Sequence, residues 1–300
     1  MFDKTDPRAT LKGNEASKNT LEHEIAGAKV VKFYEQDPIE IGRGSKSWWS
    51  RGQNFHMDYT EAVDGEVFNR KNQVDEYAVI LPDKHTSAVI KNGSEELRVD
   101  GNSLIFVPAG ESDIKLLKGG RIIRLFTSLN EDLKDLSINK DAYEQPDQNV
   151  APFQAWPSSP ADSKIRAYSL DVAPEEGRFG RIFRSSTFMI NFLDINDGPR
   201  DATKLSPHSH DDFEQCSLIL EGEYLHHLRW PWTPNKNQWK NDLHVHCGSP
   251  SATVIPPGVI HTSEAIGTEA NRLIDIFCPP RLDFSKKDGW VLNDSDYPLE

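Results

Sequence analysis

Apolar residues in this chain come in short unbroken runs separated by Gly, Pro, Asn and Asp, a rhythm of strands and turns rather than of amphipathic helices. Glu76-Tyr77-Ala78-Val79-Ile80-Leu81, Ser103-Leu104-Ile105-Phe106-Val107, Arg121-Ile122-Ile123-Arg124-Leu125-Phe126, Cys216-Ser217-Leu218-Ile219-Leu220 and Ala252-Thr253-Val254-Ile255 read as strands, with turns at Pro82-Asp83 and Glu221-Gly222. An all-β architecture follows. The runs also repeat. Val79-Ile80-Leu81-Pro82-Asp83 matches Leu218-Ile219-Leu220-Glu221-Gly222, and Ile105-Phe106-Val107-Pro108-Ala109-Gly110 matches Thr253-Val254-Ile255-Pro256-Pro257-Gly258. The pattern predicts a tandem duplication with a first barrel over 1–135, a linker and lead-in rich in Asp, Pro, Ser and Gln over 136–176, and a second barrel with its tail over 177–300.

Composition narrows the partners. The chain has 300 residues, 37% of them hydrophobic, enough for two ordinary cores. A formal net charge of −13 argues against nucleic acid and anionic membrane, which both need a basic face, and leaves a small molecule as the expected partner. The start, Met1-Phe2-Asp3-Lys4-Thr5-Asp6-Pro7, lacks a secretory pattern, and no apolar run of about 18 residues is present, so a soluble cytoplasmic protein is expected. Cys216, Cys247 and Cys278 form no close pair, are odd in number and sit in apolar runs, which predicts buried thiols.

The chemistry concentrates in the second half. In Pro207-His208-Ser209-His210-Asp211-Asp212-Phe213-Glu214-Gln215 the two histidines, one residue apart, point to one face of a strand, and both imidazoles can reach one metal ion. His261, after the tight turn of Pro256-Pro257-Gly258, can supply the next ligand. These segments resemble the two signature motifs of the cupin superfamily, His-x-His followed by a carboxylate and then Pro-x-Gly-x-x-His. The resemblance implies two tandem jelly-roll barrels, a bicupin, with one divalent metal ion held by His208, His210, a carboxylate and His261.

The fourth ligand is open between two residues. The common family spacing, counted from His210 and back from Gly222, lands on Gln215; Glu214 fits if the strand carries a one-residue bulge that turns its side chain inward. Glu214 is preferred, because an anionic oxygen neutralises part of a divalent charge. Setting Ile80 against Ile219 puts Asn69 and Lys71 where the second half has His208 and His210, and setting Gly110 against Gly258 puts Asp113 opposite His261, so the first barrel is expected to hold no metal.

Fe(II) or Mn(II) is the preferred ion, with Zn(II), Ni(II), Co(II) and Cu(II) compatible with the same donors. Three classes of function stay open: a dioxygenase acting on a small organic acid or a phenolic or dicarbonyl substrate, preferred; a non-redox isomerase, lyase or decarboxylase; and a non-catalytic ligand-binding barrel. Whichever of Glu214 and Gln215 does not bind the ion, and His246 among the further histidines His226, His227, His244 and His246, are candidates for proton transfer. Arg229, Trp230 and Trp232, in the tryptophan-rich insertion between the motifs, are candidate substrate-binding residues in a lid, with packing as the alternative. A homodimer is expected from the resemblance alone.

Overall fold

The structure is a computed structural model that describes residues 6–11, 23–157 and 163–299. It contains two barrels, each closed by a large sheet and a small one. In the first, a seven-stranded sheet runs in the order Arg166–Ser169, Ser103–Val107, Tyr77–Leu81, Gly120–Thr127, Phe55–Ala62, Ser45–Arg51, Ile39–Ile41, and faces the four strands Val67–Gln73, Gly110–Lys118, Ser87–Asn92 and Glu95–Asp100. In the second, Lys29–Lys32, Ser251–Ile255, Gln215–Glu221, Ala270–Phe277, Met189–Phe192 and Arg181–Arg184 lie side by side, with Asn196–Asp197 joined to Ala270–Phe277. They face Leu243–Cys247, Tyr224–Arg229 and Ile260–Ala265. Every ladder is antiparallel.

The unbroken apolar runs have a physical cause in this packing. Along Tyr77–Leu81, Tyr77, Val79 and Leu81 fill the first barrel, while Ala78 and Ile80 face outward and are also buried. Outward residues of both large sheets form one shared core: Met57, Tyr59, Ile80, Phe106 and Leu125 pack with Phe188, Ile190, Leu218, Val254 and Ile276. Strands buried on both faces lose the apolar-polar alternation. Cys216, Cys247 and Cys278 are buried and unbridged, as their runs predict.

The barrels exchange their edges. Lys29–Lys32 pairs with Ser251–Ile255 of the second barrel, and Arg166–Ser169, within the expected linker, pairs with Ser103–Val107 of the first. The ladders also correct the internal alignment by one residue. Tyr77 lies opposite Val107 and Gln215 opposite Ile255, so Ile80 corresponds to Leu218 rather than Ile219. Ile219 points into its barrel and Leu218 into the shared core. With a period of two, a one-residue slip exchanges the faces.

Candidate metal centre

The His208-Ser209-His210 segment lies beside the turn before Ile260–Ala265. His208 and His261 exchange both backbone hydrogen bonds, at 3.1 and 2.7 Å, and the Gly258 N–H donates to the His210 carbonyl at 2.7 Å. Gly258 takes φ +80°, a conformation that glycine adopts without steric cost. This clamp holds the three imidazoles together, with ring centres 4.4 to 5.1 Å apart and one nitrogen of each within 4.8 Å of the others. They are the one such histidine, cysteine or carboxylate group among the described residues.

The donor chemistry fits a divalent ion. His208 and His261 each place Nδ1 at 2.9 Å from a backbone carbonyl, of Ser206 and of Val259 respectively. A carbonyl oxygen only accepts, so Nδ1 carries the proton and Nε2 keeps its lone pair. Burial pushes all three imidazoles down: His261 to about 4, helped by the Arg281 and Arg8 charges, and His208 and His210 well below their ordinary value. Imidazoles that stay neutral are the form that ligates.

Gln215, not Glu214, is beside them. Its Oε1 lies 2.8 Å from His210 Nε2 and 3.4 Å from His261 Nε2. No bulge turns Glu214 inward: pairing with Ser251–Ile255 is regular from Gln215 to Ile219, and the register shift of this strand against Ala270–Phe277 falls later, between Ile219 and Glu221. Glu214 points instead to the seam between the barrels, where Oε1 accepts from the Tyr143 hydroxyl and Oε2 from the Gln53 N–H, both at 2.7 Å. Gly52 is required there, because a Cβ would lie 2.9 Å from Glu214 Oε2 and 2.2 Å from the Phe55 ring. Burial raises the Glu214 carboxyl to about 7 against those two hydrogen bonds.

Behind Gln215 is a buried polar relay. Its Nε2 donates to Ser217 Oγ at 3.1 Å and to Asp275 Oδ1 at 3.0 Å, and the Ser217 hydroxyl donates to the same Oδ1 at 2.9 Å. Donating to both acceptors turns the Gln215 amide so that its oxygen faces the imidazoles. Burial raises Asp275 to about 6. On the other side, Phe213 stacks on His210 with centres 4.6 Å apart, and the buried Arg281 guanidinium lies 5.2 Å from the Phe213 ring centre and 3.7 Å from that of Phe284. Arg8, in the short helix Pro7–Thr10, donates to Ser206 Oγ at 2.6 Å and to the Asp6 carboxylate.

The other candidates lie elsewhere. His246 is exposed on an edge strand, with Nε2 3.1 Å from a Glu223 carboxylate oxygen. Arg229 faces outward and pairs with Asp242 at 2.6 Å. Trp230 is buried among Ile25, Leu228, Ile255 and Val259 and donates to the Ala26 carbonyl, so it is a packing residue. Trp232 is 77% exposed and stacks on Trp239. These corrections have two causes: alternation turns Arg229 and His246 to the outer face, and the insertion folds against the N-terminal segment rather than over the imidazoles. In the first barrel Asp113 pairs in register with Asn69, as His261 does with His208, and the two side chains hydrogen-bond to each other.

Asp275, Ser217, Arg8 and Arg281 were missed from sequence. Asp275 carried a signal, a charge inside the apolar run Leu273-Ile274-Asp275-Ile276-Phe277, where an ionisable group needs a partner. Ser217 follows Gln215 by one strand period; Arg8 and Arg281 carried none.

No protein-family model matches the chain, and no curated protein matches it. Solved structures do. AerE from Microcystis aeruginosa is 10% identical over 81% of this chain and 97% of its own, with a TM-score of 0.55. Oxalate decarboxylase from Lactobacillus farciminis, solved as a formate complex, is 12% identical over 86% and 88%, with a TM-score of 0.58. An oxalate decarboxylase from Bacillus subtilis is 15% identical over 84% and 77%, at 0.55. The chain therefore has the cupin fold, with two jelly-roll barrels in tandem and a three-histidine group in the second.

Proposed function

We propose that the protein is a metal-dependent enzyme acting on a small organic acid in its second barrel, with His208, His210 and His261 holding one divalent ion and Gln215 Oε1 as the fourth donor. The observation that carries this reading is the uncharged donor set, three neutral imidazoles converging with an amide oxygen. When bound, the ion would supply Lewis-acid polarisation of a substrate oxygen. With no protein carboxylate in the set, its charge is left to be balanced by the substrate, which favours an anionic oxygen ligand. Arg8 and Arg281 add positive potential at the imidazoles.

The chain's own residues have distinct tasks in this reading. The Ser206 and Val259 carbonyls keep His208 and His261 in the ligating tautomer. Asp275 and Ser217 aim the Gln215 oxygen, and Phe213, Phe277 and Leu228 exclude water from the imidazole edges. The oxalate decarboxylase neighbours act on a small acid, and this motivates the choice of substrate class. Non-redox proton-transfer chemistry is placed ahead of dioxygenation because an uncharged donor set favours the divalent state of an ion over more oxidised ones.

The test is turnover of a panel of short carboxylic, hydroxy and oxo acids by protein loaded with Mn(II), Fe(II) or Zn(II), with and without dioxygen. Anaerobic turnover with Mn(II) or Zn(II) is expected. Turnover that consumes dioxygen and requires Fe(II) would replace the proton-transfer reading by the dioxygenase.

A further inference from the structure

One pair of residues further from the Pro256-Pro257-Gly258 turn, the second barrel changes character. Leu228 lies opposite His261, and the next inward pair on the same two strands is His226 opposite Ser263. On the facing sheet the step from Gln215 leads to Ser217, opposite Asp275, which lies opposite Asn191. Beyond this layer the interior is closed by Ile219, Tyr224, Cys247, Ala265 and Leu273. A polar layer thus lies between the imidazoles and an apolar floor.

Two members of that layer are unsatisfied. His226 is fully buried; its Nδ1 is 2.8 Å from Ser263 Oγ, but its Nε2 meets no hydrogen-bonding group. Asn191 is also fully buried, and neither its Nδ2 nor its Oδ1 has a partner. Leaving such groups unpaired costs roughly 1–3 kcal/mol each, whereas an apolar side chain at either position would cost nothing of the kind. His227, the neighbour of His226, turns outward to His244 and Glu264 and is fully engaged. Burial lowers His226 to about 3, so it meets a ligand as a neutral imidazole. Because the Ser263 hydroxyl both donates and accepts, Nε2 can present either a proton or a lone pair.

We infer that His226 Nε2 holds the end of the substrate remote from the three imidazoles, in the barrel interior beneath them. The ligand class is a short molecule with two polar ends, such as a dicarboxylate or a hydroxy or oxo acid: one oxygen lies at His208, His210, His261 and Gln215, the other at His226. The inference rests on the proposed function, and His226 is a positioning residue within it.

The test is calorimetric titration of the full Co(II)-loaded chain with malonate and succinate, and with formate as a ligand too short to reach His226. His226→Phe should keep Co(II) stoichiometry and melting temperature, weaken at least one of the two diacids tenfold or more, and leave formate within twofold. His226→Gln should restore diacid affinity to within about threefold of wild type. Unchanged diacid affinity in His226→Phe would mean that His226 holds an ordered water only and would overturn the inference. So would an equal loss for formate, or failure of the wild type to bind either diacid. If wild type takes up no Co(II), the metal reading fails by itself, and the same titrations on the metal-free chain still decide the role of His226.

Discussion

Glu214 and Gln215 are adjacent, and the alternation of one strand gives them opposite tasks. Gln215 turns its oxygen to the imidazoles, while Glu214 joins Tyr143 and Gln53 at the seam. Gln215→Ala is therefore expected to lower affinity for a divalent ion by at least tenfold and to cost roughly 1–3 kcal/mol, as the buried His210 and Asp275 lose a partner. Glu214→Ala should leave metal affinity within about twofold and cost roughly 1–3 kcal/mol, as Tyr143 and Gln53 lose their acceptor. Metal titration and chemical denaturation of both variants check this. Spacing alone pointed to Gln215, and the general preference of a divalent cation for an anion pointed to Glu214; which face each side chain took depended on a bulge that sequence could not exclude.

A second residue-scale prediction concerns His56, buried in the first barrel, where burial and the Arg51 charge lower it to about 4. A histidine lowered in the folded state contributes stability above its unfolded value near 6.5, and that contribution is lost as pH falls towards 4. The loss amounts to roughly 3 kcal/mol. His56→Gln should flatten the decline in unfolding free energy between pH 6.5 and 4 by about that amount; an unchanged slope would contradict it.

At the scale of elements, Lys29–Lys32 holds the second barrel from the far end of the chain. It covers the edge of Ser251–Ile255, while Val31 and the nearby Phe33 enter the shared core. Removing residues 1–35 is expected to lower the melting temperature by about 10 °C or more and to cause self-association, because an uncovered strand edge pairs with other chains. A monomer with unchanged melting would refute this role. Apolar runs made the strands legible, and the matched turns after Val107 and Ile255 made the repeat legible. The edge exchange was not, because a strand's own pattern does not say which distant edge it completes, and the alignment slipped by one residue because both faces of those strands are apolar. The His-x-His and Pro-x-Gly-x-x-His segments were readable because a metal centre fixes residue type and spacing. Arg8 and Arg281 were not, since they come near the imidazoles only in the folded chain.

For the whole molecule, the shared core and the exchanged edges make the barrels mutually dependent. Trp48, Met57 and Ile80 of the first barrel are buried with Phe183, Ile190 and Leu218 of the second. Unfolding is expected to be one cooperative transition, with calorimetric and van't Hoff enthalpies agreeing; two resolved transitions would show independent barrels. Among the described residues no helix is long and apolar enough to cross a membrane. The first barrel has no three-histidine group among the described residues. Its counterpart of the histidine pair is Asn69 with Asp113, and its interior is occupied by a buried ion pair between Arg124 and Asp58 at 2.6 Å.

The central claim is that His208, His210 and His261 bind a divalent ion. It is tested most directly by elemental mass spectrometry on the full chain and on His261→Ala, each purified without a metal-binding tag and again after reconstitution. The account predicts close to one divalent ion per wild-type chain and a small fraction of that in the variant, with folding retained. No metal in the wild type after reconstitution, or equal metal in both proteins, would contradict it.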